Sequence, residues 1–469
     1  MDTILSSFSK SFKAQITDYL QEPILLLLGI YVKFFKRLRK LPARDFVIMM
    51  FAASFRSKPT TLVEMTSLLK ESNPSLSITP QSLSERINSP ECSHFFKTIL
   101  EHALRTKSQK LSACPKLLSL FERTLVEDSS KFELEEELQE KFRGQGGNAS
   151  KAALKMHTVY DLSNNRFIIM SEHSGTVSDR TLGNTTVGIL QKGDLLIRDL
   201  GFFNKEKLRE ISKIGAFYLS RLPSNVDIRL SPNGEPIPFS RLFKEHSLDG
   251  VCLDIEVFIG ESRKELLKVR LVAYRVPEEV ANERRRLINK TSKHRGRKTS
   301  EETLSRQNFT IFVTNVRVEI WPSDIVETIY KIRWDIELIY KSWKSQLKIC
   351  FFTGTKNHNR VRSFLYAKWA VIILCTMIYG LVFGYAKEKL GREASWHKFL
   401  NWFLIGNRFR DILTRRFVTP ILRGLLEELK NGWCKDKRSK RKSTRQRIED
   451  KQACYTENNY NNIKVSCLT

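Results

Sequence analysis

The chain lacks any Cys-x-x-Cys pair, and its eight cysteines are scattered at positions 92, 114, 252, 350, 375, 434, 454 and 467. That spacing indicates neither a zinc module nor a disulfide framework, and it fits a reducing cytoplasm. Proline (14) and glycine (21) are scarce among 469 residues, which excludes collagen-like and low-complexity chains. Acidic residues are in deficit: 51 Asp and Glu against 79 Lys and Arg leave a formal charge of +28. The partner expected of such a surplus is a polyanion, either nucleic acid or an acidic membrane surface. No basic segment leading to an apolar stretch and a small-residue cleavage site follows Met1-Asp2-Thr3, so no secretory signal is expected. Long apolar runs are nearly missing as well. Ile24–Leu28, continued by Gly29, Ile30, Tyr31 and Val32, is too short to cross a bilayer. Trp369–Ala386 is 18 residues without a charge, the lower limit for a span. Thr376, Tyr379, Gly380 and Gly384 are mild and no companion span exists, so a helix buried on all sides is preferred. A membrane-associated nucleic-acid protein is the competing account.

What is present is ordinary globular composition, 41% hydrophobic and 28% charged, in a chain long enough for several domains. The first 115 or so residues read as short amphipathic helices, with Phe8, Phe12, Ile16 and Leu20 at helical spacing. Thr61–Lys70 and Thr79–Ile87, separated by a Ser-Asn-Pro-Ser break, predict two helices joined by a turn. They suit a helix-turn-helix or a plain packing unit. From Leu120 the period becomes two. Thr124–Val126, leading into Glu127-Asp128-Ser129-Ser130, Ala152–Tyr160 and Arg166–Met170 predict a meander, with a polar Arg143–Gly147 loop after the first strand. Gly193–Asp199 predicts a buried strand ending on a carboxylate, Lys205–Lys213 a helix closed by Gly215, and Ala216–Leu219 a further strand.

Alternation at Leu253, Ile255 and Val257, a Gly260-Glu261-Ser262 turn, and Val269, Leu271 and Ala273 predict a hairpin. Glu283–Lys298 holds eight Lys and Arg, including Arg284, Arg285 and Arg286, as a solvated face or a phosphate contact. Ile311–Val316 predicts a strand, Ser323 and Asp324 open a helix running to about Leu347, and helices fill 360–430. The tail Lys435–Arg447 carries eight basic residues and one Asp, and disorder with sequence-blind binding is expected of it.

The chemistry concentrates on the helix after Ser323. On a continuous helix Tyr330, Arg333, Glu337 and Lys344 fall within an arc of roughly 60°, while Ile332, Ile336, Ile339 and Trp343 can pack on a core. An Arg333–Glu337 ion pair worth about 0.3 kcal/mol is the plainer account of the same spacing. Asp128 and Asp199 stand at strand ends; if those strands are parallel neighbours, both carboxylates emerge at one edge, where Glu337 can join them. Three converging carboxylates repel one another and make sense mainly around divalent cations, and hard oxygen ligands favour two Mg²⁺ or Mn²⁺ ions. Such a pair suits phosphoryl transfer.

Tyr330-x2-Arg333-x3-Glu337-x6-Lys344, with Trp334 after the Arg, resembles the signature of bacterial insertion-sequence transposases of family four. Gly193-Asp-Leu-Leu-Ile-Arg-Asp199-Leu-Gly-Phe-Phe203 is similar to that family's second catalytic Asp motif, and Asp128-Ser129-Ser130 to its first, with Glu127 as a competitor for the first acid. The resemblance spans roughly residues 120–350. It implies an α/β fold: an RNase H-like catalytic core interrupted by a β-rich insertion, with helical N-terminal and C-terminal regions. The boundaries expected on that basis are 1–117 for a helical DNA-binding domain, 118–222 and 323–348 for the two parts of the core, and 223–322 for the insertion. A C-terminal helical region for dimerisation occupies 349–430 and the basic tail 431–469.

By the same resemblance Asp128, Asp199 and Glu337 are the catalytic and metal-holding acids, and Tyr330, Arg333 and Lys344 hold DNA phosphates. Trp334, Lys341, Arg221 and Arg284, Arg285 and Arg286 are the further DNA contacts expected. The implied reaction is cut and paste: two Mg²⁺ or Mn²⁺ ions, hydrolysis at the ends of an insertion sequence, and joining of the 3′ ends to target DNA. The partners implied are double-stranded DNA, as terminal inverted repeats and target, and a second copy of the chain in the bacterial cytoplasm at the nucleoid, with no membrane. A catalytically inactive DNA-binding descendant is the alternative. Some relatives cut through a DNA hairpin and hold a flipped base with an insertion Trp; here no Trp lies between Asp199 and Trp321.

Overall fold

A computed structural model of the chain describes residues 19–36, 41–55, 60–105, 115–248, 250–262, 265–294, 296–345, 347, 356–405, 408–413, 418–434 and 442–454. Phe8, Phe12 and Ile16 lie outside the described residues. The contacts divide the chain into two units. One comprises Met1–Ala113, Ser129–Val177 and Glu337–Arg438, the other Cys114–Asp128, Ser178–Ile336 and Ser439–Thr469.

The first unit is built on helices Glu22–Tyr31, Ala43–Ser54, Leu62–Ser72, Pro80–Asn88, Pro90–Arg105 and His358–Leu390. The two helices expected after Thr60 form as read, because each has its cap. Glu64 N donates to Thr61 Oγ1 at 3.2 Å while Thr61 N donates to Glu64 Oε2 at 2.7 Å, and Ser82 N donates to Thr79 Oγ1 at 3.2 Å. The 33-residue helix His358–Leu390 contains Trp369–Ala386. By length and composition it is apolar enough to cross a membrane, yet 78% of its most apolar stretch is covered by protein, since it packs against Pro90–Arg105, Ala43–Ser54 and the sheet. It is a core helix of this unit.

Three strands are reached in order: β1 (Thr124–Leu134), β2 (Ala152–Asp161) and β3 (Arg166–Ser174). The meander forms as expected, with β2 and β3 antiparallel around Thr158 opposite Met170. One boundary differs. Asp128 does not follow β1 but lies inside it, because the strand continues through Ser129 and Ser130 to Leu134. Ser130 and Phe132 are buried on one face there, so tertiary burial overrides the turn preference of Asp-Ser-Ser.

The second unit carries β4 (Leu195–Arg198), β5 (Phe217–Arg221), β6 (Ile228–Arg229), β7 (Cys252–Ile259), β8 (Leu267–Arg275) and β9 (Phe309–Thr314). The start of β1 pairs parallel with β4, and β4 parallel with β5; β5 then pairs antiparallel with β9, followed by β8, β7 and β6. Helix Lys205–Ile214 makes the crossover from β4 to β5 and ends at Gly215, whose φ of 78° needs a residue without a Cβ. The expected hairpin is β7–β8. Residues 223–322 are less purely β than expected: they hold helices Phe239–His246, Glu278–His294 and Glu301–Arg306 besides four strands, and β9 joins them to β5. The fold is mixed α/β.

Two further readings change. The single helix expected from Ser323 to about Leu347 is interrupted. Ser323–Tyr330 passes through a 3₁₀ turn at Lys331–Arg333 into Trp334–Ser345. In the basic tail, residues 435–441 lie outside the described residues, but Thr444–Cys454 is helical. It packs on Ser323–Tyr330, where Lys451 Nζ donates to Asp324 Oδ2 at 3.1 Å.

Candidate active site

Parallel pairing of β1 with β4 sets Glu127 opposite Arg198, so the next residue of each chain, Asp128 and Asp199, leaves the paired segment at the same edge. The two acids that the sequence placed at one edge are therefore neighbours. Asp199 stands between β4 and a short 3₁₀ turn, Leu200–Phe202.

The interrupted helix supplies their partners. Its first segment is fixed to the sheet: Ile325, Val326 and Ile329 are fully buried, Tyr274 on β8 donates to the carbonyl of Ser323, and Arg270 Nη2 donates to that of Trp321 at 2.7 Å. Tyr330 OH donates to Asp199 Oδ1 at 3.0 Å, and Arg333 Nη1 to Asp128 Oδ2 at 3.2 Å. The Arg333 guanidinium also sits 5.6 Å from the centre of the Tyr330 ring, which packs on Phe312 of β9. Burial and the negative charge of Asp199 push the Tyr330 phenol well above its ordinary pKa, so it is a firm donor at neutral pH.

A 3₁₀ turn at Lys331–Arg333 interrupts the helix that was expected to carry Tyr330, Arg333, Glu337 and Lys344 without a break. Tyr330 and Arg333 are buried against the two aspartates, whereas Glu337, Lys341 and Lys344 are exposed on Trp334–Ser345. Within its own unit that segment is anchored by Tyr340 bonded to Thr158 of β2, by Trp343 at 5.4 Å from Phe167 of β3, and by Trp396 Nε1 donating to Ser342 at 3.1 Å. Lys344 Nζ lies 5.1 Å from the centre of the Phe132 ring. Trp334 is 55% exposed.

Arg221, at the end of β5, acts electrostatically on both Tyr330 and Arg284. The basic triplet on helix Glu278–His294 divides. Arg284 is half-buried, donating to Phe309 O at 3.0 Å and Thr310 Oγ1 at 3.2 Å, and Arg285 pairs with Glu278 and Asn308. Arg286 is exposed beside Glu283.

Among the described residues no group of three or more His, Cys, Asp or Glu stands ready to hold a metal ion. The physical reason is local: carboxylates repel one another without a cation, and here Arg333 and Tyr330 satisfy the two strand-borne acids. As a donor set, two adjacent carboxylates suit a hard divalent cation.

Sequence reasoning weighed Glu127 only as a rival of Asp128. It is fully buried, its Oε2 accepting from Arg198 Nε at 2.8 Å and its Oε1 from the Thr186 hydroxyl. The available signal was a pair of opposite charges closing two apolar strand segments, Leu125-Val126-Glu127 and Leu195-Leu196-Ile197-Arg198.

The model of the transposase DDE domain family matches residues 119–374, more than half of the chain. The transposase for insertion sequence element IS231E of Bacillus thuringiensis subsp. finitimus is 29% identical over 82% of this chain and 83% of its own length. That for IS231C of Bacillus thuringiensis subsp. berliner is 28% identical over 94% of both chains, and that for IS1151 of Clostridium perfringens 25% identical over 88% and 90%. Among solved structures, a piggyBac transposase synaptic complex with hairpin DNA aligns over 89% of this chain and 84% of its own, at 11% identity and a TM-score of 0.45.

Proposed function

The chain belongs to the transposase DDE domain family, as a bacterial insertion-sequence transposase, and from that premise we propose that it excises its element by cut and paste. In this reading Asp128, Asp199 and Glu337 are the reacting acids. Water hydrolyses the phosphodiester at each transposon end, and the freed 3′ hydroxyl then attacks target DNA by in-line displacement. Mg²⁺ or Mn²⁺, held by these three carboxylates, supplies when bound the positive charge that both displacements require.

The observation that carries the reading is the pair of contacts Tyr330–Asp199 and Arg333–Asp128 at one edge of parallel β1 and β4. Both donors are phosphate-binding groups, and the Arg fork matches phosphate oxygens especially well. They lie where a scissile phosphate must come if the two acids are to act on it. Lys344, Lys341 and Trp334, all exposed, add charge and a stacking face toward the flanking DNA, with Arg221 and Arg286 gripping backbone. Arg284 and Arg285 support that grip from within the segment 223–322. The capped helices Leu62–Ser72 and Pro80–Asn88 read the terminal inverted repeats, and two copies of the chain bridge the two ends. The core is RNase H-like in this reading, and the site of action is the bacterial cytoplasm.

Strand transfer tests it. Short duplexes carrying the inverted repeats that flank the coding region are incubated with Mg²⁺ and wild type or Glu337→Gln. Joining by wild type alone supports the reading. Binding with no joining by either protein would instead mark a DNA-binding descendant that has lost its chemistry.

A further inference from the structure

Two charged side chains that no step above uses are buried directly behind the two strand-borne acids. Glu127 and Arg198 are both 0% exposed and occupy the positions immediately before Asp128 and Asp199. Their ion pair crosses from β1 to β4 at the last register point of the parallel ladder. Arg198 Nε donates to Glu127 Oε2 at 2.8 Å and Arg198 Nη2 bonds to the same oxygen; the Thr186 hydroxyl bonds to Oε1. Arg198 Nη2 also reaches the carbonyl of Gly183 at 3.5 Å, and its guanidinium lies 5.8 Å from the centre of the Phe202 ring. Helix Asp179–Val187 approaches closely at Gly183, where a Cβ would stand 2.9 Å from Arg198 Nη2.

A buried ion pair is a poor way to add stability, since desolvation consumes most of the Coulomb gain. Its better-attested use is to fix a register, and a fork-shaped guanidinium held at several points tolerates little displacement. Side chains alternate along a strand, so whatever fixes Glu127 and Arg198 behind the sheet also fixes how Asp128 and Asp199 leave it.

We propose that the buried Glu127–Arg198 pair is a positioning device that sets the spacing of Asp128 and Asp199 for a divalent cation. The inference rests on those two acids being the cation ligands. It assigns Glu127 and Arg198 no contact with substrate.

The test measures Mn²⁺ binding to the full-length protein, by the electron paramagnetic resonance signal of the free ion, alongside unfolding in urea. Asp128→Asn and Asp199→Asn come first: Mn²⁺ binding unchanged in both overturns the reading of the site itself. Given loss in those, the variants of interest are the apolar double replacement Glu127→Met with Arg198→Met, and Arg198→Lys, which keeps the charge but loses the fork. The expected result is wild-type or greater resistance to urea in the double variant, with Mn²⁺ affinity between about 10-fold and 100-fold weaker, as for other groups that orient metal ligands. Arg198→Lys is expected to fold and to lose several-fold. A merely structural pair would leave Mn²⁺ affinity unchanged in whichever variant folds, and that result overturns the proposal.

Discussion

Arg333 Nη1 stands 3.2 Å from Asp128 Oδ2, with only 8% and 13% of the two side chains exposed. The guanidinium thus sits on a carboxylate assigned to a cation, and it neutralises that carboxylate in the free protein. Replacing it removes one charged donor from a carboxylate that is only 13% exposed. Arg333→Met is expected to cost about 2 kcal/mol in urea unfolding without metal, and to regain more stability than wild type does when Mn²⁺ is added. Equal unfolding curves for the two proteins, with and without the ion, would show that the pair does neither job.

Chemistry and DNA binding should separate cleanly at the acids. Asp128→Asn, Asp199→Asn and Glu337→Gln keep shape while removing charge, so each is expected to lower end cleavage by about a thousandfold or more. Retention of end duplexes in a gel shift should be at least as good as wild type. A carboxamide variant that still joins ends would remove that residue from the reacting trio.

How much of this could be read in the sequence follows from where local and tertiary forces agree. Leu195-Leu196-Ile197 is apolar on both faces and short, so β4 and the exit of Asp199 were legible. The capped helices at Thr61 and Thr79 were legible because a capping box is local chemistry. The continuation of β1 past Asp128 was not, because Ser130 is buried only by its neighbours in three dimensions. Nor was the 3₁₀ turn at Lys331–Arg333, since the apolar positions Ile332 and Ile336 suit a continuous helix equally well. The expectation of one continuous helix through Tyr330, Arg333, Glu337 and Lys344 did not include that turn.

Alkaline pH should expose the buried phenols together. Burial raises the pKa of Tyr19, Tyr218, Tyr274, Tyr330 and Tyr366, and the charge of Asp199 adds to the effect at Tyr330. Each raised value means that the protonated form is favoured by folding. The associated stability is complete below the unfolded value of about 10 and is lost as pH rises above it toward the folded values. Phenolate absorbance is expected to leave these tyrosines silent near pH 11 and then to rise in one step with loss of helical circular dichroism. A smooth titration of all 12 tyrosines with the fold intact would contradict their burial.

The long apolar helix gives a stability test that also discriminates its environment. Leu374 is fully buried in the middle of His358–Leu390, so Leu374→Ala is expected to destabilise by about 2–5 kcal/mol in urea. A helix meant for lipid would show little such loss, because its packing partners in water would be few.

Salt dependence can tell which cations face DNA. Each phosphate contact contributes close to one unit to the slope of log affinity against log salt, so removing a contacting lysine lowers that slope by about 1. Lys344 is exposed, its ammonium lies over the Phe132 ring and no carboxylate pairs with it among the described residues, so Lys344→Gln is expected to show the full decrease on end duplexes. Arg285 is bound by Glu278, Asn282 and Asn308. Arg285→Gln should therefore leave the slope unchanged and reduce resistance to urea. If both variants lower the slope equally, the contacts of Arg285 within the protein do not survive DNA binding, and the whole triplet Arg284, Arg285 and Arg286 turns toward phosphate.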